Sequence, residues 1–191
     1  MINFIKQLAL LLLLSLFIAS CTEESTSPED EIKEGTFYKL GTVTFEFNGS
    51  TTIIEDFYID GLTVMHWVGD NNPENSVVSA LFKAKDSTTS VLIGLLGADI
   101  SKNSLAGTYK VENSEATASL GWGNELGYNF NFTSGDMIVE KMERDGTIKL
   151  SIDGIGNYYD VLNPTESMMG QPAKLLIDAK LNTVYVNDVK Q

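Results

Sequence analysis

From residue 37 onward, apolar positions recur every second residue and not every 3.6. In the stretch 42–47, Val43, Phe45 and Phe47 alternate with Thr42, Thr44 and Glu46, the signature of a half-buried strand. Asn48-Gly49 follows directly, and both residues accept positive φ, so a hairpin is predicted with its return strand over 51–59. Asp60-Gly61 gives a second turn, then a strand over 62–68 and a polar loop over 69–76. Strands are predicted over 77–85 and 91–96, with a turn at 86–89, and a short one over 108–111. Residues 128–132 alternate again. Residues 137–144, the turn Asp145-Gly146 and residues 147–153 form a second hairpin, with Ile148, Leu150 and Ile152 on one face. The segments 174–179 and 183–189 complete the set.

About ten short strands separated by turn residues, with no helical periodicity after residue 21, predict an all-β domain over 37–191. Unequal loop lengths favour a single β-sandwich of antiparallel strands over an up-and-down meander. A lipocalin-like β-barrel is the alternative. Pro28, Pro73, Pro164 and Pro172 all lie in polar stretches that read as loops.

The beginning of the chain follows a different pattern. Lys6 precedes an almost wholly apolar run over 8–19 that ends in small residues. A positive start followed by an apolar stretch of about 7–15 residues is a secretory signal peptide. A membrane span needs about 20 apolar residues, so the run is too short for one. Ile18-Ala19-Ser20-Cys21 resembles the lipobox of bacterial lipoproteins, with Ile18 where leucine is commoner. The resemblance implies a signal peptide over 1–20, cleavage before Cys21, and acylation of that cysteine. It makes the membrane a partner through the lipid on Cys21, because several acyl chains hold firmly where one is marginal. Cys21 is the only cysteine, so an intramolecular disulfide and any cysteine-based metal site are excluded.

Residues 21–36 are rich in acidic and hydroxyl side chains and predict a flexible tether. Glu23-Glu24 resembles the surface-export tag of Bacteroidota lipoproteins, and Thr22 is unlike an inner-membrane retention signal. The implied location is the cell outer membrane facing the exterior, with its periplasmic face as the alternative. Asn48-Gly49, Leu105-Ala106-Gly107-Thr108-Tyr109, Ser134-Gly135-Asp136 and Asp145-Gly146-Thr147 occur in this order. The series resembles the small β-sandwich lipoproteins of Bacteroidota, which implies fold and address but no catalytic residue.

Charge narrows the partners. With 13 Lys and Arg against 26 Asp and Glu the net charge is −13, and no basic cluster offsets it, so nucleic acid is not an expected partner. The single histidine, His66, sits in a predicted strand, and no Gly-x-Ser-x-Gly elbow accompanies it. Asp70, Asn72 and Glu74 alternate as oxygen ligands do, but the glycine and final carboxylate of a calcium loop are absent. Gly121, Gly123 and Gly127 lack the spacing and the βαβ setting of a dinucleotide loop. No catalytic residue, metal or cofactor is therefore assigned.

What remains is aromatic. Trp122 reads either as a core plug between sheets or as displayed on a flexible loop over 121–127 with Tyr128 nearby, and Tyr158 and Tyr159 are candidate groove-lining residues. Aromatic faces stack on the C–H faces of sugar rings. The expected function is a non-catalytic binding module for a glycan or a partner protein. An envelope glycan or peptide hydrolase and a structural or adhesion subunit are the alternatives.

Overall fold

The period-two pattern becomes twelve strands in a computed structural model that describes residues 37–58, 63–69, 73–85, 88–123, 127–187 and 189–191. In chain order they are β1 (Phe37–Phe47), β2 (Ser50–Tyr58), β3 (Val64–Val68), β4 (Val77–Lys83), β5 (Ser90–Leu96) and β6 (Ser104–Lys110). Then come β7 (Ala116–Trp122), β8 (Tyr128–Glu143), β9 (Thr147–Asp160), β10 (Met168–Lys180), β11 (Val184–Val186) and β12 (Val189–Lys190). The all-β class read from the sequence holds, and no α-helix occurs among the described residues. The signal peptide, Cys21, the tether, the Asp60-Gly61 turn, Asp70 and Asn72 lie outside the described residues.

All twelve strands belong to one mixed sheet with the order β12-β11-β3-β4-β5-β7-β8-β9-β10-β1-β2, and β6 pairs with β8 beside that path. Every pairing is antiparallel except β11 with β3. The sheet curls until its end strand β2 returns to the end of β4. There Phe57 bridges Ala84, and Lys85 donates its backbone N–H to the Asp56 carbonyl at 2.9 Å. The strands β4-β5-β7-β8-β9-β10-β1-β2 thus form one strongly curled sheet, called the ring below, whose two ends meet at this single contact.

Alternation decides which side chains enter this ring. In β10, Ala173, Leu175, Ile177 and Ala179 are buried, while Lys174, Leu176, Asp178 and Lys180 are exposed. In β8 the phase changes along the strand: Phe130 and Phe132 point inward, then Met137 and Val139, then Met142. Each change coincides with a register shift against β9, between Phe132 and Ser134 and between Val139 and Lys141. A bulge inserts one residue, flips the facing of everything after it, and bends the strand. Residues 128–132 and 137–144, read from sequence as two strands, are therefore one bulged strand. Gly135 faces Gly154 at the bend. A Cβ on Gly135 would lie 2.7 Å from the Asp153 carbonyl oxygen, so the two backbones meet only as glycines.

Two further expectations are corrected. Trp122 is the last residue of β7, paired with Tyr128, and not a loop residue. Pro172 lies inside β10, opposite Ile155 of β9. The pairing of β10 with β1 begins only at Ala173, so the proline stands where that side of the strand is an edge and no N–H is required. Pro73 and Pro164 open short 3-10 turns, where their fixed φ is suited.

One apolar core fills the ring. Its two ends differ. At one end, Trp67 is fully buried, its indole N–H points at Met65 Sδ at 2.8 Å, and the Arg144 guanidinium lies 5.5 Å above its ring. Arg144 also donates to the Ile100 carbonyl, which anchors the connection between β5 and β6 over this end. At the other end the ring stays open.

Candidate functional site at the open end

The open end collects the finish of β1, the start of β2, the finish of β7, the start of β8, the finish of β9 and the start of β10. Inward-facing side chains of these strands line a cleft of about 790 Å³. Phe45, Phe47, Ile54 and Leu120 supply apolar walls, and Trp122, Tyr128 and Tyr158 supply larger rings. Ser50, Thr52, Thr89, Asp160, Glu166 and Ser167 supply polar groups. Cross-strand pairing accounts for the ring cluster. Trp122 is opposite Tyr128, Tyr128 is opposite Asp160, and Phe130 is opposite Tyr158.

The rings form a near-parallel set. Trp122 and Tyr128 lie 6.1 Å apart at 29°, Trp122 and Tyr158 5.9 Å apart at 32°, and Tyr128 and Tyr158 6.3 Å apart at 12°. Phe47 stacks on Tyr158 at 5.5 Å, and Phe45 packs 6.0 Å from Trp122. Phe45 is buried in the core, while Phe47, Trp122, Tyr128 and Tyr158 are half-buried and keep part of their surface toward the cleft. Two glycines make room for this packing. A Cβ on Gly123, whose φ is +82°, would come within 2.7 Å of the Tyr128 ring, and one on Gly156 within 2.3 Å of the Phe130 ring.

The rim loop between β9 and β10 is braced from within. Asp160 Oδ1 accepts the backbone N–H of Leu162 at 3.0 Å and of Asn163 at 2.8 Å. The N–H of Asp160 donates to Ser167 Oγ at 3.1 Å, and that of Val161 to the Gly127 carbonyl at 2.8 Å. Burial raises the pKa of the Tyr158 phenol, and the Asp160 carboxylate, Tyr128 and Glu166 raise it further. The phenol therefore stays neutral and available as a hydrogen-bond donor across the ordinary pH range.

Of the four aromatic residues singled out in the sequence, Trp122, Tyr128 and Tyr158 meet in the cleft. Tyr159 does not: adjacent strand residues face opposite ways, and its hydroxyl instead accepts from Asn157 Nδ2 at 3.4 Å. His66 lies outside the cleft lining and stacks on Tyr185 at 5.0 Å and 13°. Among the described residues, no cluster of His, Cys, Asp and Glu is arranged to hold a metal ion. Sequence reasoning did not single out Phe47 or Asp160 for this site. Both follow from alternation, since Asp160 faces the same way as Tyr158 and Phe47 the same way as Phe45. Glu166 sits on a loop and carried no such signal.

No protein-family model, no curated protein and no solved structure matches this chain.

Proposed function

We propose that this protein is a lipid-anchored lipoprotein of the outer membrane, displayed on the exterior, whose curled sheet binds a glycan at its open end. The observation that carries the reading is the braced aromatic cleft: three partly accessible rings in near-parallel array, flanked by hydroxyls and carboxylates. Flat π surfaces beside fixed hydrogen-bonding groups match the alternating C–H and O–H faces of a pyranose. The volume lies within the range of about 300–1,000 Å³ common to small-ligand sites.

A screen of the full chain against immobilised oligosaccharides tests the reading. Binding that drops at least about tenfold in Trp122→Ala, with the fold retained, supports it. Binding untouched by that change removes the cleft as the site. A second reading, an envelope glycan hydrolase, is favoured by Asp160 and Glu166 sharing the cleft, since glycoside hydrolysis uses paired carboxylates. It requires a bound oligosaccharide to be shortened on prolonged incubation, and an unchanged chain length excludes it.

A further inference from the structure

We propose that the cleft selects a saccharide carrying protonated amino groups over neutral or acidic sugars. The inference rests on the glycan-binding reading and narrows it. The cleft combines π faces with negative charge: among the described residues, Asp160 and Glu166 are its only charged lining residues. The carboxylates of Asp99, Asp136, Glu140, Asp145 and Asp153 are each compensated by a lysine. Among the described residues, neither Asp160 nor Glu166 has such a partner. Asp160 uses Oδ1 to hold its loop.

The rings complete the argument. An ammonium over the face of Trp or Tyr is attracted by the ring quadrupole, most strongly where water is partly excluded. In an amino sugar, the C–H face stacks on the ring while the ammonium reaches a carboxylate beside it. A uronic acid entering the same cleft would meet two carboxylates and no countercharge. A neutral sugar would stack but leave the carboxylates unused.

The test is titration calorimetry on the full chain in detergent, at a mildly acidic pH that keeps sugar amines protonated. The ligands are a fully deacetylated glucosamine tetramer, cellotetraose, tetragalacturonate and tetralysine. We expect the glucosamine tetramer to bind at least about tenfold more tightly than cellotetraose, a factor matching one partly desolvated cation–π contact. That margin should close in Asp160→Asn/Glu166→Gln, which keeps an acceptor for the loop. It should survive in Glu140→Gln/Asp153→Asn, which removes the same charge from the outer sheet. It should also shrink between about 0.01 M and about 1 M salt, as the screening length falls from about 30 Å to about 3 Å. Cellotetraose binding equally well, and still depending on Trp122, overturns the amine preference and leaves the glycan reading standing. A margin that both double variants reduce alike means general attraction to an acidic protein and overturns the proposal. Tetralysine binding as tightly as the glucosamine tetramer overturns it in favour of a basic protein segment. Absence of binding by every tetramer overturns the proposal and the glycan reading together.

Discussion

The two tryptophans sit at opposite ends of the same ring of strands, and their surroundings differ in kind. Trp67 is sealed: the indole is fully buried, its N–H meets Met65 sulfur, and Arg144 covers its face. Trp122 is half-buried among rings that are themselves partly open. Cations follow the same division. The sealed end satisfies its tryptophan with a cation from the chain, whereas among the described residues no lysine or arginine lines the cleft of the open end. A residue type used as a plug at one end is thus left available at the other, and what separates the two is the neighbour above the ring.

Substitution of each tryptophan measures this contrast most directly. Trp67→Ala removes a large core side chain and should cost about 3–5 kcal/mol, enough to threaten the fold. Trp122→Ala leaves only a partly buried gap and should cost about half as much, while ligand affinity falls. Urea denaturation of both variants reads the difference. Equal losses of stability would mean that Trp122 is core and the open end is not open.

The glycines of the cleft give a smaller and more selective effect. At Gly123 a methyl meets the Tyr128 ring at 2.7 Å and positive φ adds strain, but a half-buried ring at a cleft edge has room to turn. Gly123→Ala should therefore cost about 1–2 kcal/mol and lower ligand affinity by disturbing the array of Tyr128 on Tyr158. Gly156→Ala should be worse for stability, because Phe130 is fully buried and the Asn131 carbonyl oxygen would lie 2.5 Å from the new methyl. If Gly123→Ala destabilises as strongly as Gly156→Ala, the cleft rings are as tightly held as the core.

Much of the fold was legible because the core is built from period-two alternation. Val43 and Phe45, and likewise Ile148, Leu150 and Ile152, point inward as their spacing requires. Legibility failed where backbone geometry overrode local pattern. The bulges of β8 break the alternation and make one strand read as two. Gly154 and Gly156 fall beyond the strand predicted over 147–153, yet they sit in mid-strand because close packing against Gly135 and Phe130 excludes any side chain. The closing contact of Phe57 with Ala84 joins residues with no local signal connecting them. The site was partly legible for the same reasons. Tyr158 and Tyr159 are equivalent by composition, and only strand facing assigns one to the cleft. Trp122 looked like a loop residue because its flanking glycines are also turn formers, although strand pairing holds it opposite Tyr128.

The smallest expected effect concerns charge at the sealed end. Asp145 in the β8–β9 turn accepts from Lys180 Nζ at 2.8 Å and from the Thr147 N–H at 2.9 Å. The lysine contact, with Thr147 next, lowers its pKa from 3.8 to about 2. A carboxylate with a depressed folded pKa adds stability that is fully present above its unfolded value near 4 and is lost as pH falls toward about 2. Both partners are more than half exposed, so solvent screening holds the contribution below about 1 kcal/mol. Asp145→Asn should then lower Tm by about 1–3 °C at neutral pH, with the gap narrowing as pH drops from about 4 to about 2. A gap of constant size across that window would mean that the ion pair is not its source. The same substitution should leave ligand affinity unchanged, because it alters an already compensated charge at the end remote from the cleft. Altered affinity would show that the two ends are coupled through β9, which runs from Thr147, beside Asp145, to Asp160.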